Sequence, residues 1–149
     1  MRNTLVALCL LGCASIGHAA LGGAPNPTAA GNTASAAKSF KAASTTAGYS
    51  IKSATLENGT SVQEFVGTDG IVFAVTWKGA FQPNLKELLG SHFGTMTKAA
   101  QARPMAGNSQ LSVKDSDVVI QSSGHMRSVA GRAWIPSLLP SGVTPDDIQ

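Results

Sequence analysis

The chain has 149 residues, among them 11 lysines and arginines, 8 aspartates and glutamates, and two cysteines. This length suits one folded domain with one core. The basic residues are scattered singly, without the dense positive patch expected of a nucleic-acid-binding protein, so we expect no nucleic acid partner.

The first 19 residues have the features of a cleaved signal peptide. Arg2 supplies a short positive segment, residues 5–11 are apolar, and small residues surround a cleavage site after Ala19. The apolar stretch is about half of the roughly 20 residues that span a bilayer as a helix, and nothing later approaches that length. We therefore expect no transmembrane span in the mature protein.

Both cysteines, Cys9 and Cys13, lie inside the predicted signal peptide. The mature chain would then have no thiol for a disulfide, a thiolate metal site or a nucleophile. The letters LLGC resemble the site at which bacterial lipoproteins are cut before a lipidated cysteine, but Leu11 fits the second position of that pattern poorly. Export to the periplasm or the medium is favoured over a lipid anchor at Cys13.

Residues 20–47 are predicted to form a flexible linker rich in Ala, Ser and Thr. Phe40 is the only large apolar residue between Ala24 and Ala47. Such a segment buries too little apolar surface to offset the entropy lost on ordering, although its Ala-rich part could form a transient helix. The single folded domain is expected over residues 48–149.

Three strands are predicted to follow Gly48. The segment YSIKSATL leads into Asn58 and Gly59, a pair typical of a type I′ hairpin turn, and TSVQEFV returns from it. After the turn GTDG, the segment IVFAVTWK is apolar on both faces, as expected of a central strand. Simple alternation places Ile71, Phe73, Val75 and Trp77 on one face of this strand.

The spacing of apolar residues then becomes helical. Residues 85–101 are predicted to form one amphipathic helix, with Asn84 and Glu87 as a capping box and His92 on the buried edge. Gly90 and Gly94 weaken this helix, and close packing on the sheet is our preferred reason for them.

Three more strands and a proline-rich tail complete the predicted domain. QLSVKD and DVVIQSS flank a turn at residues 115–117, and a turn at Ser123 and Gly124 precedes the last strand. The tail is expected to pack Leu138 and Leu139 on the sheet edge. The order β-β-β-α-β-β-β predicts an α+β fold, an antiparallel sheet of about five to six strands with one helix across one face.

The segment SSGHMRSVAGRAWIP is the part of the chain richest in groups that could bind a ligand. Alternation places His125 and Arg127 on one face of the last strand, and Arg132 and Trp134 on the other. A bulge at Gly131 would bring Arg132 round to the face of Arg127. These four are therefore candidate binding residues for a small anion or a partner protein, although a turn histidine, a solvated strand face and a packed Trp134 are the favoured explanations.

No catalytic arrangement assembles from the sequence. His92, His125 and the aspartates at 115 and 117 have no recognisable spacing of metal ligands. A G-x-S-x-G nucleophile motif and a phosphate-binding glycine loop are absent as well. We predict no catalytic residue, metal site or cofactor, and we favour a non-enzymatic protein.

Three segments of the sequence, TDGIVFAVTWKGAFQPNL, ELLGSHF and SGHMRSVAGRAWIP, are similar to a known family. Together with AALGGAP at the mature N-terminus, they resemble the uncharacterised exported proteobacterial domain-of-unknown-function family 2844. The resemblance covers nearly the whole mature chain except the Ala/Ser-rich segment. It implies export and a shared small domain, and it carries over no catalytic residue.

Three functions from different classes remain open. The favoured one is a non-enzymatic exported module that binds another envelope or secreted protein. The second is a binder of a small anionic ligand or an envelope polymer through His125, Arg127, Arg132 and Trp134, and the third is a hydrolase with a site at His92 or His125. A bulge that gathers the arginines in a pocket would favour the second, and a flat apolar sheet face or an unpaired edge would favour the first.

Overall fold

A computed structural model describes residues 21–25, 37–46, 48–102 and 110–148. Within these ranges the chain forms one antiparallel sheet and one helical segment, which confirms the predicted α+β fold. The predicted order β-β-β-α-β-β-β holds from Tyr49 onward, and one further strand precedes it, which makes seven strands where five to six were expected. The strands are β1 (Ala37–Thr46), β2 (Tyr49–Leu56), β3 (Ser61–Gly67), β4 (Val72–Gly79), β5 (Gln110–Lys114), β6 (Val119–His125) and β7 (Ser128–Trp134). The helical segment comprises α1 (Leu85–Leu89), a 3-10 turn (Gly90–His92) and α2 (Phe93–Gln101).

The strands lie in the order β1-β2-β3-β4-β7-β6-β5, so β4 is central, as its apolar sequence predicted. Six of the eight residues of β4 are buried. A register shift between β3 and β4 pairs Phe65 with Ala74 and Val66 with Val72, which leaves Phe73 in a bulge. The bulge moves Phe73 away from the face of Val75 and Trp77, where simple alternation had placed it, and brings Val72 onto that face instead.

The ordered structure starts before Gly48, within the segment predicted to be a linker. β1 pairs with β2 along the edge of the sheet. Leu21 is 3% exposed within the core, and its N–H donates to the carbonyl of Leu88, while Gly22 and Gly23 both form backbone hydrogen bonds with Val72. Composition did not predict these parts because it reflects apolar burial alone, whereas backbone pairing and the buried Leu21 hold them in place. The predicted signal peptide and residues 26–36 lie outside the described residues.

The β2–β3 hairpin closes through a different turn from the predicted type I′. The N–H of Gly59 donates to the carbonyl of Leu56, and Gly59 has a φ of 81°, but Asn58 does not have the positive φ that a type I′ turn requires. Instead, the side chain of Asn58 accepts a hydrogen bond from the N–H of Thr60 at 3.0 Å. The loop is a type I turn followed by a left-handed glycine, another common hairpin connection.

The predicted single helix is broken at Gly90. This residue has a φ of 53° and the chain continues as a 3-10 turn before α2 begins. The predicted capping box is not formed, since the side chain of Asn84 makes no capping hydrogen bond. Gly94 does not serve close packing either, because a Cβ atom there would meet nothing within 4 Å, and His92 is only partly buried.

The sheet has two faces that are covered by different elements. The helix face packs against α1 and α2, and its core includes Val62, Val75, Trp77, Ile120 and Ala133 together with Leu85 and Leu89 of the helix. The tail face packs in part against the C-terminal tail, residues 136–148. Leu139 packs on this face, and Leu138 packs against the cores of both faces.

Candidate functional site

The candidate residues His125 and Arg127 lie at a hairpin turn. β6 runs on through Ser123 and Gly124, where a turn was predicted, and His125 pairs with Ser128 across a turn made by Met126 and Arg127. Arg127 has a φ of 58°, the only positive φ among the described residues other than glycine. His125 and Arg127 are exposed at the tip of this hairpin.

Arg132 lies in the middle of β7, roughly 13 Å along the strand from that turn. No register shift interrupts β7, so the proposed bulge at Gly131 is absent and the two arginines stay apart. Gly131 has another role, since a Cβ atom there would overlap Cζ2 of Trp77 and lie 2.8 Å from the carbonyl oxygen of Gln121. The glycine leaves room for the Trp77 indole on the helix face.

Hydrogen bonds fix the Arg132 guanidinium on the tail face. Its Nε donates to Oε1 of Gln121 at 2.8 Å, and its Nη1 donates to the carbonyl oxygens of Pro145 at 2.8 Å and Ile148 at 3.3 Å. The guanidinium carbon lies 5.3 Å from the ring centroid of Trp134, which is 6% exposed. Of the four candidate residues, Arg132 and Trp134 therefore lie together, while His125 and Arg127 lie elsewhere.

The C-terminal tail covers an apolar row on the tail face. This row crosses five strands through successive cross-strand pairs, and Ile148, which is 0% exposed, packs against it. The last turn of the tail is closed by Thr144, whose N–H and hydroxyl both donate to Oδ2 of Asp147 at 2.8 Å. The backbone bond first, and the hydroxyl bond second, lower the pKa of the Asp147 carboxyl below its ordinary value. The row consists of Ile51, Phe65, Ala74, Trp134 and Val119.

Beside the tail, the same face carries an open polar trough of about 990 Å³. Ten side chains in two cross-strand rows line it, and the backbone of the residues between the rows forms its floor. One row continues from β3 to β5 as Gln63, Thr76, Arg132, Gln121 and Ser112. The other row consists of Ser61, Lys78, Ala130, Ser123 and Gln110.

The chemistry of this polar trough is that of neutral hydrogen-bonding groups with two cations. Seven of the ten side chains carry a hydroxyl or a carboxamide, and the others are Lys78, Arg132 and Ala130. With neighbouring strands about 4.8 Å apart, a row of five positions extends roughly 19 Å across the sheet. The trough can therefore hold an extended ligand that lies across the strands.

Serine hydroxyls and the Lys78 amine lie in the described lining of the trough, but no histidine, aspartate, glutamate or cysteine does. Among the residues that the structure describes, no group of three or more such side chains is placed to hold a metal ion. The lining of the trough can bind a ligand by hydrogen bonds and charge.

Sequence reasoning found only Arg132 among the trough residues. The other trough residues share one local sequence pattern, a polar residue at every second position over part of a strand. Ser61 and Gln63, which flank the buried Val62, are an example. Each strand shows this signal weakly. The rows exist only once the register aligns the polar half of each strand with those of its neighbours.

A family model described as "Protein of unknown function (DUF2844)" matches residues 17–148. The chain belongs to this family. The matched range of this DUF2844 chain contains every described strand, the helical segment and the tail, so the polar trough lies wholly within the family's region. No curated protein and no solved structure matches the chain significantly. In the described ranges, no helix has the length and apolar character needed to cross a membrane.

Proposed function

We propose that this DUF2844 protein is an exported, non-enzymatic binding module that binds a polar polymer of the cell envelope in the polar trough. The observation that carries the proposal is the trough itself, a band of polar side chains that no described element covers, next to an apolar band that the tail covers. Export is supported by the signal-peptide features of residues 1–19.

A binding role is favoured over hydrolysis by the composition of the lining. Hydroxyls and carboxamides both donate and accept hydrogen bonds, which suits recognition of a polar ligand. A serine hydroxyl of the lining would need a general base beside it to act as a nucleophile, and the described lining holds no histidine or carboxylate for that role.

The experiment is cosedimentation of the purified mature protein with the insoluble envelope polymers of its native host, before and after exhaustive protease treatment of those polymers. We expect binding that survives the protease treatment. It should be lost in the double variant Gln63→Ala/Lys78→Gln and kept in Lys98→Gln, since Lys98 lies on α2 at the opposite face. Failure of the wild-type protein to bind either preparation would overturn the proposal.

A protein partner is the second candidate, and one observation favours it. The large apolar side chains that are exposed in the described residues are Met126, at 99%, and Phe81, at 59%. Both lie at the same end of the sheet, because Gly79 pairs with Val129 next to the β6–β7 turn. Binding that disappears with protease treatment would favour this second candidate. That binding should be lost in Met126→Ser and retained in Gln63→Ala/Lys78→Gln.

A further inference from the structure

We infer that the polymer bound by the polar trough is an acidic glycan, whose anionic groups contact Lys78 and Arg132 while its hydroxyls bond to the surrounding amides and hydroxyls. This inference rests on the proposed function, that the trough binds an envelope polymer. It adds the chemical class of that polymer and the two residues that select it.

The charge of the trough favours an anionic ligand. Lys78 on β4 and Arg132 on β7 are diagonal neighbours on one face, since Lys78 pairs with Ala130 and Arg132 pairs with Thr76. Diagonal neighbours of this kind lie about 7–8 Å apart. Because the described lining holds no carboxylate, these two cations give the trough a local positive potential that favours an anionic ligand.

The two cations differ in how they are held. Gln121 and the carbonyl oxygens of Pro145 and Ile148 fix the guanidinium of Arg132, so its orientation is set before any ligand binds. The Lys78 side chain is exposed. A polymer with anionic groups at regular intervals can contact both, with Arg132 as the fixed point and Lys78 adjusting to it.

The neutral side chains of the lining favour a glycan as the polymer. A sugar hydroxyl both donates and accepts hydrogen bonds, and so do Ser61, Gln63, Thr76 and their neighbours. A peptide strand binds by adding to a sheet edge, whereas four of the five strands under the trough, β3, β4, β7 and β6, are paired on both sides. Single-stranded nucleic acid needs exposed aromatic platforms, and the one aromatic residue of the lining, Trp77, is 2% exposed with its side chain on the helix face.

The test measures dissociation constants of the full mature protein for three defined probes by titration calorimetry. Polygalacturonate presents a carboxylate and hydroxyls on each sugar, carboxyl-reduced polygalacturonate keeps the hydroxyls alone, and polyglutamate keeps the carboxylates alone. We expect polygalacturonate to bind at least tenfold more tightly than either of the other probes. Its affinity should fall as salt is raised, since exposed charges are screened.

Variants place the interaction in the trough. Lys78→Gln should weaken polygalacturonate binding about tenfold, the usual effect of losing one charge-assisted hydrogen bond, and Lys98→Gln on α2 should leave it unchanged. Equal effects of the two variants, or polyglutamate binding as tightly as polygalacturonate, would overturn the inference. Equal binding of the reduced and unreduced glycans, still lost in Gln63→Ala/Lys78→Gln, would overturn the acidic selectivity while leaving the proposed function intact.

Discussion

The two halves of the tail face share the strands β3, β4, β7 and β6 and differ in what covers them. In the covered half, the apolar row that includes Phe65, Trp134 and Val119 lies under the C-terminal tail, and Tyr49 adds edge-on packing at 5.7 Å from the Phe73 ring. The bare half is the polar trough, to which each strand contributes two side chains. These side chains carry hydroxyls, carboxamides and two cations, apart from Ala130.

The C-terminal tail requires an apolar surface of the sheet beneath it. The tail supplies Leu138, Leu139 and Ile148, and these side chains lose contact with water only above an apolar row. The polar half needs no cover, because its side chains other than the buried Thr76 are at least partly exposed to water. Arg132 marks the boundary, since it faces the trough and also bonds to the tail.

The largest expected effect on the free energy of unfolding comes from a substitution at Gly131, in the floor of the bare half. Gly131→Ala places a Cβ atom into the Trp77 ring and 2.8 Å from the carbonyl oxygen of Gln121, in a strand paired on both sides. We expect the free energy of unfolding to fall by about 3 kcal/mol, measured by urea denaturation. Gly94→Ala is the matched control, because open space surrounds that helical glycine, and it should raise stability by up to about 1 kcal/mol.

A double variant checks the cause of the Gly131 effect. If the Trp77 ring is responsible, Trp77→Phe and Gly131→Ala should be less damaging together than the sum of the single variants. Simple additivity would show that the effect of Gly131→Ala arises elsewhere, for instance in the backbone of β7.

The next effect separates the covered half from the bare half directly. Ile148→Ala removes a side chain that is 0% exposed under the tail, and we expect a loss of about 2–3 kcal/mol in unfolding free energy. Gln63→Ala in the bare half should change stability by less than about 0.5 kcal/mol. Similar losses for both variants, again from urea denaturation, would contradict the division of the face.

A smaller effect is expected at the boundary between the halves. Arg132→Met keeps the length of the side chain and removes the hydrogen bonds to Gln121, Pro145 and Ile148. The expected loss is about 1–2 kcal/mol, with faster limited proteolysis of the tail as the specific sign. Arg127→Met at the exposed hairpin tip should leave the proteolysis rate at the wild-type value; a rate equal to that of Arg132→Met would show that the boundary arginine does not hold the tail.

The smallest effect concerns the last turn of the tail. The pKa of Asp147 is lowered in the folded state by its bonds from Thr144, so the ionised carboxylate contributes stability above its ordinary pKa of 3.8. This contribution is lost as the pH falls through the lower folded value. Asp147→Asn should therefore reduce the difference between the urea midpoints at pH 7 and at acidic pH, whereas Asp117→Asn in the β5–β6 turn should leave that difference in place.

Local patterns in the sequence predicted those elements whose periodicity or turn residues are visible within the element itself. The apolar segment of β4 predicted a central strand, and the period change after Pro83 predicted the helical segment. The turn at residues 115–117 was also predicted correctly, and there the N–H of Asp115 donates to the carbonyl of Val118. These features depend on side-chain periodicity and turn chemistry over a few residues, which the sequence states directly.

Long-range pairing decided the rest. Phe73 changes face because the pairing with β3 inserts a bulge, and the last hairpin turns at Met126 and Arg127, beyond the Ser123–Gly124 pair that local turn chemistry favoured. Leu21 joins the core from far away in sequence. The polar trough likewise depends on the register of five strands, since each strand contributes only two lining side chains and a shift by one residue would send them to the opposite face.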